Sequence, residues 1–181
     1  MSLSIVAELP LAASHWVERW LEPALPQKTL LDWACGSGRN SHLALSLGFS
    51  VTAIDRNADS LAKLDPAIDR KQLDLETSPW PELGVFDVVV VCNYLYRPRL
   101  DLLVGLVKPG GLLLYETFAR GNERFGRPSN PEFLLNRGEL VDLAQRQNMT
   151  ILAYEDTDVL IPKPASVQRI AARQITLATS P

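Results

Sequence analysis

The sequence predicts an α/β fold in which a mostly parallel sheet of seven strands carries helices on both faces. Three observations lead to this prediction. First, the apolar run Leu30–Leu31 is followed by an acid, a turn of small residues and then apolar positions at helical spacing, the order strand, loop, helix. Second, Val88–Val91 is β-branched throughout, which is typical of a strand buried on both faces of a parallel sheet. Third, the separation of Asp32 from Asp55 equals one strand–helix–strand repeat, so both acids are expected at the same sheet edge.

The remaining elements follow from hydrophobic periodicity along the chain. Helices are predicted where apolar residues recur at helical spacing: Ser14–Leu21, Leu43–Leu47, Ala58–Leu64, Pro98–Val107 and Glu139–Gln147. Strands are predicted at Leu30–Leu31, Val51–Ile54, Lys71–Leu73, Phe86–Val91, Leu112–Tyr115, Thr150–Tyr154 and Val167–Ile175. The last of these alternates apolar residues with arginines, which indicates one wet face and an antiparallel strand. The first helix is expected to pack on the sheet rather than to close over a ligand.

Length and composition suit one domain, 1–181, with an N-terminal helical segment at 1–27. No apolar run approaches the ~20 residues of a membrane span, and no basic stretch precedes a hydrophobic N-terminal core, so a cytoplasmic protein without membrane contact is expected. The net charge of −3 argues against a nucleic-acid partner, because such binding needs clustered Lys and Arg.

Cysteine and histidine usage argues against metal and disulfide chemistry. Cys35 and Cys92 are the only cysteines, and the chain has two histidines, so no metal site is expected. Both thiols are interpreted as small apolar side chains that fill tight places, rather than as reactive groups or a disulfide.

The loop after the first strand is the candidate ligand loop. Gly36 and Gly38 let the backbone turn sharply and approach a ligand. A dinucleotide-binding loop has a third glycine where this chain has Ser41, and Asp32 would add negative charge near a pyrophosphate. A ligand with a cationic end and no phosphate, such as S-adenosylmethionine, fits better.

Asp32–Asn40 reads Asp-Trp-Ala-Cys-Gly-Ser-Gly-Arg-Asn and resembles the first motif of class I S-adenosylmethionine-dependent methyltransferases. That motif usually reads acid-x-Gly-x-Gly-x-Gly; Ala34 stands in the first glycine's place, and the turn is kept provided that its φ is negative. Within this superfamily the chain is most similar to small stand-alone bacterial members of the tellurite-resistance type. The resemblance implies a Rossmann-like fold and a cofactor loop made of Asp32, Ala34, Cys35, Gly36, Gly38 and Asn40.

Further cofactor residues are expected where the next strands end. Asp55, followed by Arg56, comes after the second strand and is expected to accept both ribose hydroxyls; a helix cap or a surface acid is the alternative. The resemblance implies that Asp74 meets the adenine amino group and that Leu75 packs on the ring. Asn93, after the fourth strand, completes the set.

Residues on the acceptor side are placed by position alone. Segment 93–97 should face the transferred methyl group, since ligands bind beyond strand ends where the strand order reverses. The catalytic candidates are Asn93, Tyr94, Tyr96 and Glu116, although the tyrosines can equally be wall residues. The segment 117–136 shows no period and is the candidate substrate loop or lid. The predicted substrate-binding residues are Arg97, Arg120, Asn122 and Arg127, against the alternative of a solvated charged surface.

Together these features predict a methyltransferase that transfers the methyl group of S-adenosyl-L-methionine by in-line displacement to a small molecule, with S-adenosylhomocysteine as product. Asn93 is not followed by the Pro-Pro-aromatic sequence of nucleic-acid amino methyltransferases, which also favours a small acceptor. The alternatives are an NAD(P)-dependent oxidoreductase and a non-catalytic S-adenosylmethionine-binding module. The protein is expected to be a monomer or a homodimer.

Overall fold

The computed structural model describes residues 12–23, 27–77 and 79–176. The strands are β1 Thr29–Trp33, β2 Ser50–Asp55, β3 Asp69–Gln72, β4 Phe86–Cys92, β5 Val107–Phe118, β6 Met149–Val159 and β7 Ala165–Gln174. The helices are α1 His15–Trp20, α2 Arg39–Ser46, α3 Ala58–Leu61, α4 Leu100–Val104 and α5 Glu139–Arg146.

All seven strands form one sheet in the order β3-β2-β1-β4-β5-β7-β6. The pairs among β1 to β5 are parallel, whereas β7 is antiparallel to both β5 and β6. The strand order reverses between β1 and β4, so the carboxyl ends of these strands open a crevice for a ligand. The predicted fold class, a Rossmann-like and mostly parallel sheet with an antiparallel last strand, is confirmed.

Each face of the sheet carries its own hydrophobic core. On one face α1, α2 and α3 pack with alternate residues of the central strands, such as Leu30 and Val90. On the other face α4 and α5 cover Leu31, Val89 and Val91. The unbroken valine run of β4 supplies both cores because successive strand residues point to opposite faces.

The first helix packs on the sheet as expected. Its N-cap, Ser14, accepts hydrogen bonds through Oγ from the backbone N–H groups of Trp16 and Val17. Trp16 and Val17 are buried, and the indole Nε1 of Trp16 donates to the carbonyl of Ile170 on β7 at 3.1 Å. Residues 1–11 and 24–26 of the predicted segment 1–27 lie outside the described residues.

The junction between the fourth helix and β5 differs from the prediction. Val107 begins β5 instead of ending the helix before it, because it pairs with Phe86 of β4 and the Lys-Pro-Gly-Gly turn is built into the strand. Leu102, an apolar residue within the predicted helix Pro98–Val107, is 61% exposed. The helix is therefore the short α4, preceded by a 3₁₀ turn at Arg97–Arg99.

The segment after β5 is tied to the sheet. It contains 3₁₀ turns at Asn122–Arg124 and Pro131–Phe133, and an isolated bridge joins Ala119 to Leu135. Among the described residues, no helix is long and apolar enough to cross a membrane.

Candidate functional site

A cavity of about 250 Å³ opens at the carboxyl ends of β1 to β4, and we call it the strand-end cavity. It contains six of the predicted cofactor residues. Its lining comprises Ala34, Asp55, Arg56, Leu73, Asp74, Leu75, Glu76, Asn93 and Tyr94. Residues predicted one by one from strand ends thus share a single cavity, because parallel strands bring their carboxyl ends to one edge.

The loop between β1 and α2 is shaped by backbone contacts with β2. The N–H of Cys35 donates to the carbonyl of Ile54, and the N–H of Gly36 donates to Oδ2 of Asp55 at 2.8 Å. Ala34 has a φ of +55°, so the expectation of a negative φ there is wrong. The turn needs a left-handed residue at this position, which explains why a glycine is common there in the related motif.

The two loop glycines have different roles. A Cβ on Gly36, whose φ is +54°, would meet no atom within 4 Å, so this part of the loop is open for a ligand to approach. A Cβ on Gly38, whose φ is +73°, would lie 2.0 Å from Cδ2 of Leu64. Gly38 therefore allows α2 to start close against the segment that follows α3.

Asp32 lies at the same sheet edge as Asp55 but beneath the loop. Its side chain is 1% exposed, and its Oδ2 accepts a hydrogen bond from Oγ of Ser41 at 2.6 Å. Burial raises the pKa of Asp32 to about 6, although the Ser41 hydroxyl opposes part of that rise. Asp32 thus braces the loop against α2 and is absent from the residues that line the strand-end cavity.

Cys35 and Asn40 also lie under the loop. Burial raises the pKa of both cysteine thiols, Cys35 and Cys92, which remain neutral near pH 7. Both are free thiols. Asn40 is buried, and its Oδ1 accepts from the N–H of Ser14 at 2.9 Å, so it joins the start of α2 to α1.

Asp55 lines the strand-end cavity and also holds two backbone N–H groups. Its Oδ2 binds Gly36 and its Oδ1 accepts from the N–H of Asn57 at 2.9 Å. Each carboxylate oxygen has a second lone pair for a ligand hydroxyl. Asp55 therefore serves as loop anchor and turn acceptor while it lines the cavity.

Asp74 and Leu75 form the far wall. Oδ1 of Asp74 accepts from the N–H of Glu76 at 2.9 Å, and this bond, together with Thr77, holds the pKa of Asp74 below its usual range. Leu75 is buried, and its carbonyl accepts from Nε1 of Trp80 and from Nη1 of Arg99. Glu76, which the sequence analysis did not select, adds a third acid to the lining.

Asn93 and Tyr94 close the cavity on the β4 side. Asn93 has a φ of +55°, and its N–H donates to the carbonyl of Glu116 on β5 at 2.9 Å. The carbonyl of Tyr94 accepts from the hydroxyl of Tyr115 at 2.8 Å. Burial, followed by the charges of Glu76 and Asp74, raises the pKa of Tyr94, so its phenol stays protonated near pH 7 and can donate a hydrogen bond to a ligand.

The other two catalytic candidates lie outside this lining. Tyr96 is half-buried, and its carbonyl accepts from the N–H of Arg99 in the 3₁₀ turn. Glu116 is directed to the α1 face, where its Oε1 accepts from Oγ of Ser14 at 2.9 Å and its Oε2 lies 2.6 Å from Nε of Arg169. Glu116 thus holds α1 on the sheet.

The predicted substrate-binding residues are dispersed. Arg97 forms a two-pronged ion pair with Glu139, at 2.7 and 2.9 Å, and donates to the carbonyls of Glu132 and Leu134. Asn122 is buried; its Nδ2 donates to the carbonyl of Pro128, and its Oδ1 accepts from the N–H of Ser166. Arg97 and Asn122 therefore hold the segment after β5 in place.

Arg127 is exposed, whereas Arg120 lines a second cavity of about 340 Å³. We call this the arginine cavity. It is lined by Ala119, Arg120, Leu135, Arg137, Asp156 and Gln168. The sequence analysis missed three of these, Arg137, Asp156 and Gln168, because they stand on separate elements and share no local motif. Within the described ranges, no three His, Cys, Asp or Glu side chains are grouped to hold a metal ion.

Sequence comparisons find similarity over part of the chain. The family model described as tellurite resistance protein TehB matches residues 17–86, which include the glycine loop and the ends of β1 to β3. A putative methyltransferase, YqeM, from Bacillus subtilis is 32% identical over 114 residues, 54% of this chain and 46% of YqeM. A ubiquinone biosynthesis O-methyltransferase from Paraburkholderia xenovorans is 32% identical over 108 residues, 53% of this chain and 47% of that protein. These alignments span about half the length of the curated relatives.

Solved structures match over most of the chain. TehB from Haemophilus influenzae has a TM-score of 0.68 at 20% identity, covering 83% of this chain and 58% of that one. An S-adenosylmethionine-dependent methyltransferase from Mesorhizobium loti has a TM-score of 0.69 at 15% identity, covering 87% and 95%. At these identities the similarity concerns the fold. With the strand order, the reversal point and the glycine loop, it shows that this chain has the fold of the class I S-adenosylmethionine-dependent methyltransferases.

Proposed function

We propose that this protein is an S-adenosylmethionine-dependent methyltransferase acting on a small molecule. The observation that carries the proposal is the strand-end cavity, where Asp55, Asp74 and Asn93 converge from the ends of three parallel segments beside the glycine loop. Adenosine requires acceptors for its ribose hydroxyls and its amino group, and these residues offer them at separate points of one cavity.

The charge of the cavity favours this cofactor over a dinucleotide. Asp55, Asp74 and Glu76 supply three acids, against one arginine, Arg56. A diphosphate would meet net negative charge, whereas the ammonium and sulfonium groups of S-adenosylmethionine are attracted to it. The same imbalance argues against the NAD(P)-dependent alternative.

The protein contributes to the proposed reaction mainly by positioning the acceptor relative to the methyl group. A sulfonium leaves as a neutral thioether, so an in-line approach of the acceptor matters more than acid assistance. Holding two reactants in alignment can supply about 7–11 kcal/mol of the barrier, compared with about 3–5 kcal/mol from a general base. Asn93, fixed by its hydrogen bond to Glu116, and the protonated hydroxyl of Tyr94 can orient groups at the β4 edge.

Isothermal titration calorimetry tests the cofactor assignment. We expect the purified protein to bind S-adenosylmethionine and S-adenosylhomocysteine with release of heat, and NAD and NADP without it. Turnover is then measured by transfer of a labelled methyl group to pooled thiols, carboxylic acids, amines and oxyanions. Binding without any transfer would support the non-catalytic alternative, and tight NAD binding alone would refute the proposal.

A further inference from the structure

We propose that the arginine cavity binds the carboxylate group of a small organic acid, and that this acid is the methyl acceptor. The inference rests on the proposed function, because it assigns a substrate class to the same active site. It starts from a second cavity at the carboxyl edge of the sheet, where ligands of open α/β sheets bind.

The two arginines of this cavity are brought together by backbone pairing. Ala119 and Leu135 form a bridge, and the N–H of Arg120 donates to the carbonyl of Leu135 at 3.0 Å. Arg120 and Arg137 therefore lie on neighbouring chain segments, and both line the same cavity. Both arginines are exposed. Within the described ranges, Nε of Arg120 donates to Oδ1 of Asn136 at 3.2 Å, and Arg137 forms neither a side-chain hydrogen bond nor an ion pair. A carboxylate is a planar, singly charged group whose two oxygens match the paired N–H donors of a guanidinium.

The floor of the cavity is polar and fixed. Gln168 is fully buried; its Nε2 donates to the carbonyl of Asn136 at 2.7 Å, and its Oε1 accepts from the N–H of Leu140. The side-chain amide of Gln168 therefore fixes the backbone at the start of α5, next to Arg137.

The rim selects against highly charged anions. Asp156 also lines the cavity, and its Oδ2 accepts from the hydroxyl of Tyr154. Its negative charge would repel a phosphate dianion more than a monoanionic carboxylate. The remaining carboxylate oxygen of Asp156 can accept a hydrogen bond from a hydroxyl or amino group of the ligand.

The position of the cavity relative to the strand-end cavity suits an acceptor. The N–H of Asn93 donates to the carbonyl of Glu116. Ala119, which lines the arginine cavity, follows Glu116 by three residues, so the chain advances on the order of 10 Å between Glu116 and Ala119 at strand spacing. An acid with its accepting atom about that far from its carboxylate could be held by the arginines and reach the β4 edge.

The test measures acid binding directly by ligand-observed NMR titration, in the presence of S-adenosylhomocysteine. The probes are 4-hydroxycinnamate, its methyl ester as the neutral match, and inorganic phosphate. We expect the acid to bind at least about tenfold more tightly than the ester and than phosphate. The variants Arg120→Gln and Arg137→Gln should each weaken acid binding about tenfold or more. Arg173→Gln removes the same charge at the opposite end of the sheet and should change nothing.

Arg137→Gln removes no hydrogen bond to a described residue, so this variant separates ligand binding from folding, which thermal unfolding monitors. Equal binding of acid and ester, tighter binding of phosphate, or full binding by both arginine variants would overturn the inference. Cofactor binding is measured separately by calorimetry and should be unaffected by Arg137→Gln. A protein that binds the cofactor but not the acid retains the proposed function and loses only this inference.

Discussion

Removing the carboxylate of Asp55 should weaken cofactor binding strongly. Hydrogen bonds to a charged group are worth about 1.5–3 kcal/mol, so Asp55→Ala should lower the affinity for S-adenosylhomocysteine roughly 10- to 150-fold. The structure adds a second source of loss, because Asp55 also accepts from the N–H of Gly36 and so shapes the glycine loop. The assay must therefore separate a ribose contact from a loop anchor.

Two comparisons make that separation by calorimetry. Asp55→Asn keeps one carbonyl oxygen for the N–H of Gly36 or Asn57 but loses the charge. If the ribose contact dominates, Asp55→Asn should lose nearly as much affinity as Asp55→Ala, and a cofactor analogue without ribose hydroxyls should bind wild type and variants alike. Unchanged affinity in a folded Asp55→Ala variant, or an equal loss for the analogue lacking hydroxyls, would refute the ribose role.

Three further predictions concern the loop and its support. Ala34→Gly should raise the free energy of unfolding by roughly 0.5–1 kcal/mol, since glycine adopts the observed φ of +55° without strain; an unchanged urea midpoint would contradict this. Gly38→Ala should lower the free energy of unfolding by about 2–4 kcal/mol because the added Cβ meets Leu64. Gly36→Ala adds only backbone strain and should lower it by about 1–2 kcal/mol. Equal losses in the two variants would argue against the steric contact. Asp32 has a folded pKa of about 6, above its ordinary value of 3.8, so the folded protein binds more protons than the unfolded chain between these values. Stability relative to Asp32→Asn should therefore fall by about 2 kcal/mol from pH 4 to pH 7, and parallel stability curves would exclude this.

The shared position of Asp55, Asp74 and Asn93 in one cavity was predictable from sequence because its signals are local. Asp55, Asp74 and Asn93 each follow a strand, and parallel strands bring their ends together whatever the details of packing. The sign of φ at Ala34 was not predictable. It depends on how the loop hydrogen-bonds with Ile54 and Asp55, which are brought alongside only when the sheet forms.

The acceptor side was less predictable because its residues are defined by partners far along the chain. Asn122 is a polar residue in a loop, as ligand-binding residues often are. Its Oδ1 instead accepts a hydrogen bond from the N–H of Ser166 on β7. Arg97 lies shortly after β4, where a site residue is expected. It instead forms an ion pair with Glu139 at the start of α5. Gln168 and Asp156 reach the arginine cavity through the β6–β7 hairpin, whose register no local pattern specifies.

The absence of a free base among the candidates fits the chemistry of the proposed cofactor. Glu116 is held by Arg169 and Ser14 on the α1 face and is absent from the residues that line the strand-end cavity. The pKa of Tyr94 is raised by burial, so its phenol can donate a hydrogen bond but cannot take up a proton near pH 7. Removing a base that supplies ~10²- to 10⁴-fold still leaves the larger effect of alignment. For the proposed reaction we therefore expect the residues that fix the orientation of the acceptor to control the rate more than a general base does.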